Sequence, residues 1–259
     1  MLKLVGCLSV VVAMAGASLA NAASGTALGV DPDAEARGKQ TRTLVVGADV
    51  FIGDRIVTGP QGQVQILFED KTELVVGPRS ALLLEDYLLR DDGSAGKLAI
   101  DALSGSFRFV TGGAPKDRYV ITTPTGTIGV RGTAFDFFVD TDDTSVLVYH
   151  GAVRICSTGG KCVDLSALCE VGQYNTSQAA AIGPADEIAS SARETLKSMF
   201  MYAVSQRPLL REFHVTGADQ CLRRSSNGDS LTDTGGGGGN CIGSCDSGKP
   251  GTRPQLGKD

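Results

Sequence analysis

The sequence predicts an all-β fold, a sandwich or roll of short antiparallel strands, followed by one C-terminal helix and a disordered tail. Three observations carry this expectation. From Leu44 onward, β-forming runs and turn residues alternate about every ten residues, the rhythm of hairpin-built sheets. Glycine supplies 34 of 259 residues, tryptophan is absent and aromatics are few, which suits many short strands joined by tight turns. The third observation is the stretch from Thr122 to Val139, where Ile128 and Val130 occupy even positions and Phe135, Phe137 and Val139 odd ones. Side chains alternate faces with period two, so one straight strand cannot keep both sets on one face. One extra residue between Val130 and Phe135 repairs the phase, and Gly132 is where a bulge costs least.

In chain order, residues 1–22 read as a signal peptide. Lys3 is the positive start, Leu4 to Ala17 the apolar run, and Ala20-Asn21-Ala22 a cleavage site. That run is too short to span a bilayer, and no later segment approaches the roughly 18 apolar residues a span needs. The expected compartment is the periplasm or the exterior, with no membrane span in the mature chain. Residues 23–43 are small, polar and aperiodic, and read as a flexible leader. The β domain is expected over 44–175. Within it Val64, Ile66 and Phe68 share one face, and Glu69-Asp70-Lys71-Thr72 turns the chain into Leu74-Val75-Val76. Leu82-Leu83-Leu84 continues as a buried strand, and Asp91-Asp92-Gly93-Ser94-Ala95-Gly96 is a loop. Lys97 to Leu103 alternates, Gly105 breaks the pattern, and Phe107-Arg108-Phe109-Val110 resumes it. Ser145 to Tyr149 and Val153 to Ile155 are the last clear strands before Cys156.

Linker and amphipathic helix occupy 176–206. Pro184 is expected to open the helix, with Asp186 and Glu187 in its first turn and Arg193 and Lys197 later, matching the dipole. Ile188, Ala192, Leu196, Met199 and Ala203 form its apolar stripe, to be packed on the β domain. Residues 207–259, with the run Gly235 to Gly239, read as a disordered Gly-rich tail.

Export makes the cysteines read as disulfides. Cys7 leaves with the signal, and Cys156, Cys162, Cys169, Cys221, Cys241 and Cys245 remain. Six cysteines allow about 15 pairings. Cys156 with Cys162 would cross a hairpin mouth and close a short loop, contributing about 2 kcal/mol. Cys169 could instead take either partner.

No catalytic constellation emerges. His150 and His214 are the only histidines, neither sits in a nucleophile motif, and Gly-x-Ser-x-Gly is absent. The glycine run lacks the Lys-Ser/Thr of a phosphate loop. Cys241, Cys245, Cys221 and His214 make a zinc set only on paper, and Asp91-Asp92 and Asp142-Asp143 read as solvated turn acids. The expectation is a non-enzyme without cofactor or metal. A net charge of −5, about −6 once Lys3 leaves with the signal, gives no support to nucleic-acid binding.

Arg131, between Gly129 and Gly132, is the one charge inside the phase change. Its donors are expected to satisfy carbonyls freed by the bulge, or to pair with Asp136, so that Arg131→Leu would lower stability; the alternative is a direct contact with a ligand or partner.

Thr123-Pro124-Thr125-x-Thr127-Ile128-Gly129-Val130-Arg131-Gly132-Thr133-x-Phe135-Asp136 resembles the signature of the FecR domain. Gly53-Asp54-Arg55-Ile56-Val57-Thr58-Gly59, Leu67 to Thr72, Val76-Gly77-Pro78-x-Ser80 and Gly105 to Gly112 resemble it in the same order, over roughly 44–155. The resemblance implies an extracytoplasmic all-β module without catalytic machinery, in which Pro124, Gly129, Arg131, Gly132, Thr133 and Asp136 are signature positions. Full-length members are transmembrane regulators that control a sigma factor and sense an outer-membrane receptor. Here a cleavable signal stands where the cytoplasmic segment and span would be. What carries over is a module that binds an envelope protein or ligand, with loops 85–96 and 112–118 and the tail as contact surfaces. The alternatives are a component of an envelope signalling or iron-regulatory pathway acting on a separate membrane regulator, and a carbohydrate-active enzyme, which would need two opposed carboxylates in a cleft.

Overall fold

A computed structural model of the chain describes residues 23–89, 95–113 and 119–223. Residues 1–22, where a signal peptide is expected, Asp91-Asp92, most of the 112–118 loop, Cys241, Cys245 and the chain beyond Arg223 lie outside the described residues. The described strands are β1 (Gly25–Asp31), β2 (Ala34–Arg37), β3 (Thr41–Thr43), β4 (Asp49–Val50), β5 (Arg55–Thr58), β6 (Gln63–Phe68), β7 (Glu73–Val76) and β8 (Ala81–Leu89). They continue with β9 (Ala95–Val110), β10 (Tyr119–Thr123), β11 (Gly126–Val139), β12 (Asp143–Ser157), β13 (Cys162–Leu165), β14 (Glu170–Asn175) and β15 (Ala179–Pro184). Helices α1 (Ser190–Met199) and α2 (Met201–Val204) follow.

Three long strands organise the rest by changing partners halfway. Up to Ser104, β9 pairs with β8 and, in parallel, with β10; from Gly105 it pairs with β11, and from Phe107 with β7. The first half of β11 lies between β10 and the end of β12, and its second half between β9 and the start of β12. The turning points are glycines with positive φ: Gly105 at 104°, Gly132 at 62° and Gly151 at 80°. The register between β11 and β12 shifts between Arg131 and Phe135, which is the extra residue demanded by the phase change. One hydrogen-bonded sheet thereby folds into two layers. The first runs β3-β2-β5-β8-β9-β10-β11-β12-β13, the second β4-β1-β6-β7-β9-β11-β12-β14-β15.

Between the layers lies one core. Phe107, Phe109, Phe135 and Phe137 enter from the second layer, Ile100, Ile121, Ile128, Val130 and Ile155 from the first, and all are buried. Phe107 stacks on Phe137 at 4.8 Å, and Phe109 meets Tyr119 edge-on at 5.7 Å. Gly105 is needed where it stands. A methyl group there would lie 2.5 Å from Ser80 Cα, in a backbone conformation that L-residues avoid. Gly105→Ala is therefore expected to destabilise by about 2–3 kcal/mol, read from the denaturation midpoint at unchanged m-value.

The first correction concerns 23–43. These residues form β1, β2 and β3, with β1 paired to β6 from Gly25 to Asp31 and β2 paired to β5. Ala27, Ala34 and Ala36 are fully buried. The period-two pattern is present, but written in alanine and glycine, because β1 and β6 approach closely. A methyl on Gly25 would lie 2.9 Å from the Leu67 carbonyl oxygen.

The second correction concerns the helix. Pro184 ends β15 opposite Glu170, Asp186 and Glu187 lie in the following turn, and α1 starts only at Ser190 with no acid in its first turn. The chain breaks at Phe200 (φ −108°, ψ 60°) and restarts as α2, so Ala203 belongs to a second helix. Leu196 and Ala203 are buried on the domain.

The third concerns residues 207–223, which are packed. Short 3-10 turns at Arg211–Phe213 and Ala218–Gln220 place Leu209, Phe213, Val215, Ala218 and Leu222 inside. Such turns lack the helical period, which is why the segment reads as aperiodic.

Candidate functional site: a buried charge network beneath a C-terminal arm

Residues 185–223 form an arm over the outer face of the second layer. In that layer every other residue points into the core and the alternates point to the arm. The alternates include Val75 of β7, Arg108 of β9, Ala134 and Asp136 of β11, and Leu147 and Tyr149 of β12, all buried. The arm covers them with Leu196, Phe200, Tyr202, Ala203, Phe213 and Val215. A disulfide from Cys169, just before β14, to Cys221 ties its far end down. Cys156 and Cys162 are also bridged, across the β12–β13 hairpin.

The centre of this interface is charged. Arg108 and Asp136 face each other in register across β9 and β11, each about 1 % exposed. The guanidinium donates to both carboxylate oxygens, Nε to Oδ1 at 2.7 Å and Nη2 to Oδ2 at 3.0 Å. Such two-pronged geometry is the strong form of the pair. The Tyr149 hydroxyl donates to Asp136 Oδ2 at 2.6 Å, while Nη1 of Arg108 donates to Gln206 Oε1 of the arm at 2.5 Å. Gln206 also accepts from the Val215 amide at 2.7 Å and donates to the Val215 carbonyl at 3.0 Å. The Tyr149 and Tyr202 rings flank the guanidinium at 5.1 and 5.7 Å.

Burial, the largest single influence on Arg108, lowers its pKa; the Asp136 charge, the Tyr149 hydroxyl and the hydrogen bonds to both together outweigh it and hold the guanidinium above its usual value. Burial, then the Asp136 charge, pushes Tyr149 well above the usual phenol range, so it stays a donor. Two further contacts fasten the arm. Tyr202 donates its hydroxyl hydrogen to Gln63 Oε1 at 3.1 Å, and the Leu210 amide donates to Gln65 Oε1 at 2.7 Å.

At the rim of the interface, Glu73 is half-buried beside Glu212 of the arm. Burial first and Glu212 second raise its pKa to about 6, against the pull of Arg108. The usual carboxyl value is 4.5, so the folded chain holds this proton more tightly than the unfolded one. Stability from this group is thus full below pH 4.5 and lost as pH rises through about 6. With solvent screening the loss is about 1 kcal/mol. Glu73→Gln is expected to remove that part of the dependence, measured by denaturation at both ends of the window.

The signature residues fall into three environments. Pro124 is exposed in the tight turn joining β10 to β11, and Gly129 is half-buried in β11. Thr133 is buried at the bulge, where its hydroxyl donates to the His150 carbonyl and its amide donates to Thr111 Oγ1 at 2.9 Å. Asp136 is buried with Arg108. Arg131 is exposed, next to the exposed Gly132. The expectation for Arg131 is corrected on both counts: Thr133 satisfies the bulge acceptor, and Arg108 holds Asp136. The reason is parity. With Ile128 and Val130 inward, Arg131 must point outward from the first layer, where it is exposed among the described residues. His150 and His214 are both exposed, at a strand end and on the arm. Among the described residues, no group of three or more His, Cys, Asp or Glu is placed to hold a metal ion.

Residues 54–154 match the FecR protein family. The chain carries a FecR domain. The match spans β5 to most of β12, the part of both layers that contains the three partner-switching strands, and leaves out β1 to β4, β13 to β15 and the arm. Two crystal structures of a "putative anti-sigma factor" from Parabacteroides distasonis ATCC 8503 are similar in fold. The one at 2.50 Å shares 15 % identity with a TM-score of 0.40, covering 50 % of this chain and 59 % of its own. The one at 1.65 Å shares 15 % identity with a TM-score of 0.41, covering 57 % of this chain and 74 % of its own. This chain therefore spans about six tenths of the first. No curated protein matches the sequence.

Proposed function

We propose that the protein is a non-catalytic FecR-domain module of the periplasm or cell exterior, which binds an envelope protein or ligand in a signalling pathway. The observation that carries this is the FecR domain itself, whose signature charge Asp136 is spent on a buried structural pair with Arg108. Burying such a pair inside a rigid sandwich leaves recognition to the surface. The two disulfides fit an oxidising compartment, and no helix among the described residues is long and apolar enough to cross a membrane. A FecR domain supports a regulatory role, and the module then passes its stimulus to a separate membrane regulator. The test is capture and crosslinking from an envelope fraction with the oxidised mature chain. A stoichiometric envelope partner is the expected result; turnover of a glycan by the purified protein would overturn the reading.

A further inference from the structure

We infer that the outer face of the first layer around Arg131 is a docking patch for a segment of a partner protein that presents one carboxylate beside an aliphatic side chain. The arm covers the outer face of the second layer. On the first layer Thr127, Arg131 and Arg154 are exposed along the face, and Val120 is 38 % exposed.

The ladder decides which residues meet there. Ile128, Val130 and Val153 point into the core, so Gly129, Arg131, Ala152 and Arg154 point out. Tyr119 and Ile121 of β10 and Leu98 and Ile100 of β9 point in, so Val120 and Ala99 point out. The register then sets Ala99, Val120 and Gly129 in one row across three strands. Arg131 stands two residues along from Gly129 and opposite Ala152.

Two features separate this row from an ordinary solvated face. The first is charge. The other outward cations of the layer have an acid at hand: Arg37 donates to Glu35 at 3.1 Å, Lys97 donates to Asp86 at 3.0 Å, and Arg154 lies 3.6 Å from Asp164. Arg55 and Asp101 flank Leu83 in a single row. Arg131 has no ion pair or side-chain hydrogen bond among the described residues. The second feature is relief. A methyl group on Gly129 would make only ordinary contacts, the nearest 3.7 Å from the Arg154 carbonyl oxygen, so the fold does not call for glycine there. Its effect is a dip bounded by Val120 and Arg131.

This combination decides the occupant. A guanidinium without an internal partner takes a carboxylate through two parallel hydrogen bonds. An aliphatic side chain seated on Gly129 against Val120 would lie about 7 Å from it, the spacing of alternate residues on an extended chain. Nucleic acid or an anionic bilayer is held by a run of unpaired cations, whereas this face offers Arg131 alone among the described residues. A second copy docked through the same patch would bring Arg131 against its own counterpart.

The chemistry of the patch is read from the sheet; its use in signalling rests on the proposed binding role. The test is panning of displayed random peptides against the oxidised full-length mature chain, followed by titration with the enriched peptides. Enrichment of sequences with Asp or Glu next but one to Val, Ile or Leu is expected, with affinity falling as salt rises. Arg131→Leu and Gly129→Val are each expected to keep the melting temperature and weaken binding about tenfold. Arg131→Lys should restore part of the loss, and panning against Arg131→Glu should select basic peptides instead. No acidic enrichment, or peptides indifferent to both Arg131→Leu and Gly129→Val, overturns the patch. So does a dimer abolished by Arg131→Glu, which assigns the face to a second copy, or binding seen only after deletion of 224–259, which assigns it to the end of this chain. Tighter binding to phosphatidylglycerol vesicles than to any peptide would also overturn it. Envelope capture that survives Arg131→Glu would sink this patch and leave the binding module standing.

Discussion

Arg108→Leu is expected to lower stability by about 3–5 kcal/mol, because it strands the Asp136 carboxylate in a buried site without its cation. Both side chains are about 1 % exposed, so water cannot replace the lost hydrogen bonds. The Tyr149 hydroxyl still donates to Asp136, and Gln206 of the arm loses its charged donor. The effect should appear as a fall of about 10 °C in melting temperature for a domain of this size. The double variant Arg108→Met with Asp136→Leu removes both charges at once and should recover most of the loss, since it leaves no unpaired charge. Arg131→Leu changes an exposed residue and should stay within about 0.5 kcal/mol of wild type. A large effect at Arg131, or a silent Arg108→Leu, would refute the assignment of Asp136 to Arg108.

Cys169→Ser with Cys221→Ser should have the second-largest effect. The bridge spans 52 residues, and closing a loop of that length constrains the unfolded chain by about 4 kcal/mol. The Cys156–Cys162 bridge spans six, which corresponds to about 2 kcal/mol. The two losses should also differ in kind. Without Cys169–Cys221, the end of the arm is held by the packing of Val215, Ala218 and Leu222 and by Gln206, which joins Val215 to Arg108, so it should open before the sandwich does. Amide exchange would then quicken across 200–223 and at Tyr149, with the core strands β9 and β11 still protected. Limited proteolysis should cut first near Arg207 or Arg211. Uniform loss of protection in arm and core together would show that the arm is an integral part of one cooperative unit.

Much of this was legible in the chain. The phase change between Val130 and Phe135 located the bulge, because the two-residue period of a strand leaves no other way to keep both sets inside. The ordered FecR-like segments, over roughly 44–155, covered the matched region 54–154 and overran it mainly at its N-terminal side. Phe107-Arg108-Phe109 and Phe135-Asp136-Phe137 place both charges on the face opposite the core phenylalanines. The pattern reads equally as a solvated face, and it is the arm that buries the pair. Arg131 drew the attention instead because it stands beside the glycines.

The alternation, the bulge and the signature depend on neighbours along one strand, and so can be read from the chain. What covers each outer face is set by how the folded sheet meets the rest of the molecule. β1 and β2 use alanine and glycine because two backbones meet there, and residues 207–223 pack without a period because 3-10 turns and a disulfide hold them. Those choices depend on which surfaces the folded sheet brings together, and no local pattern carries that information.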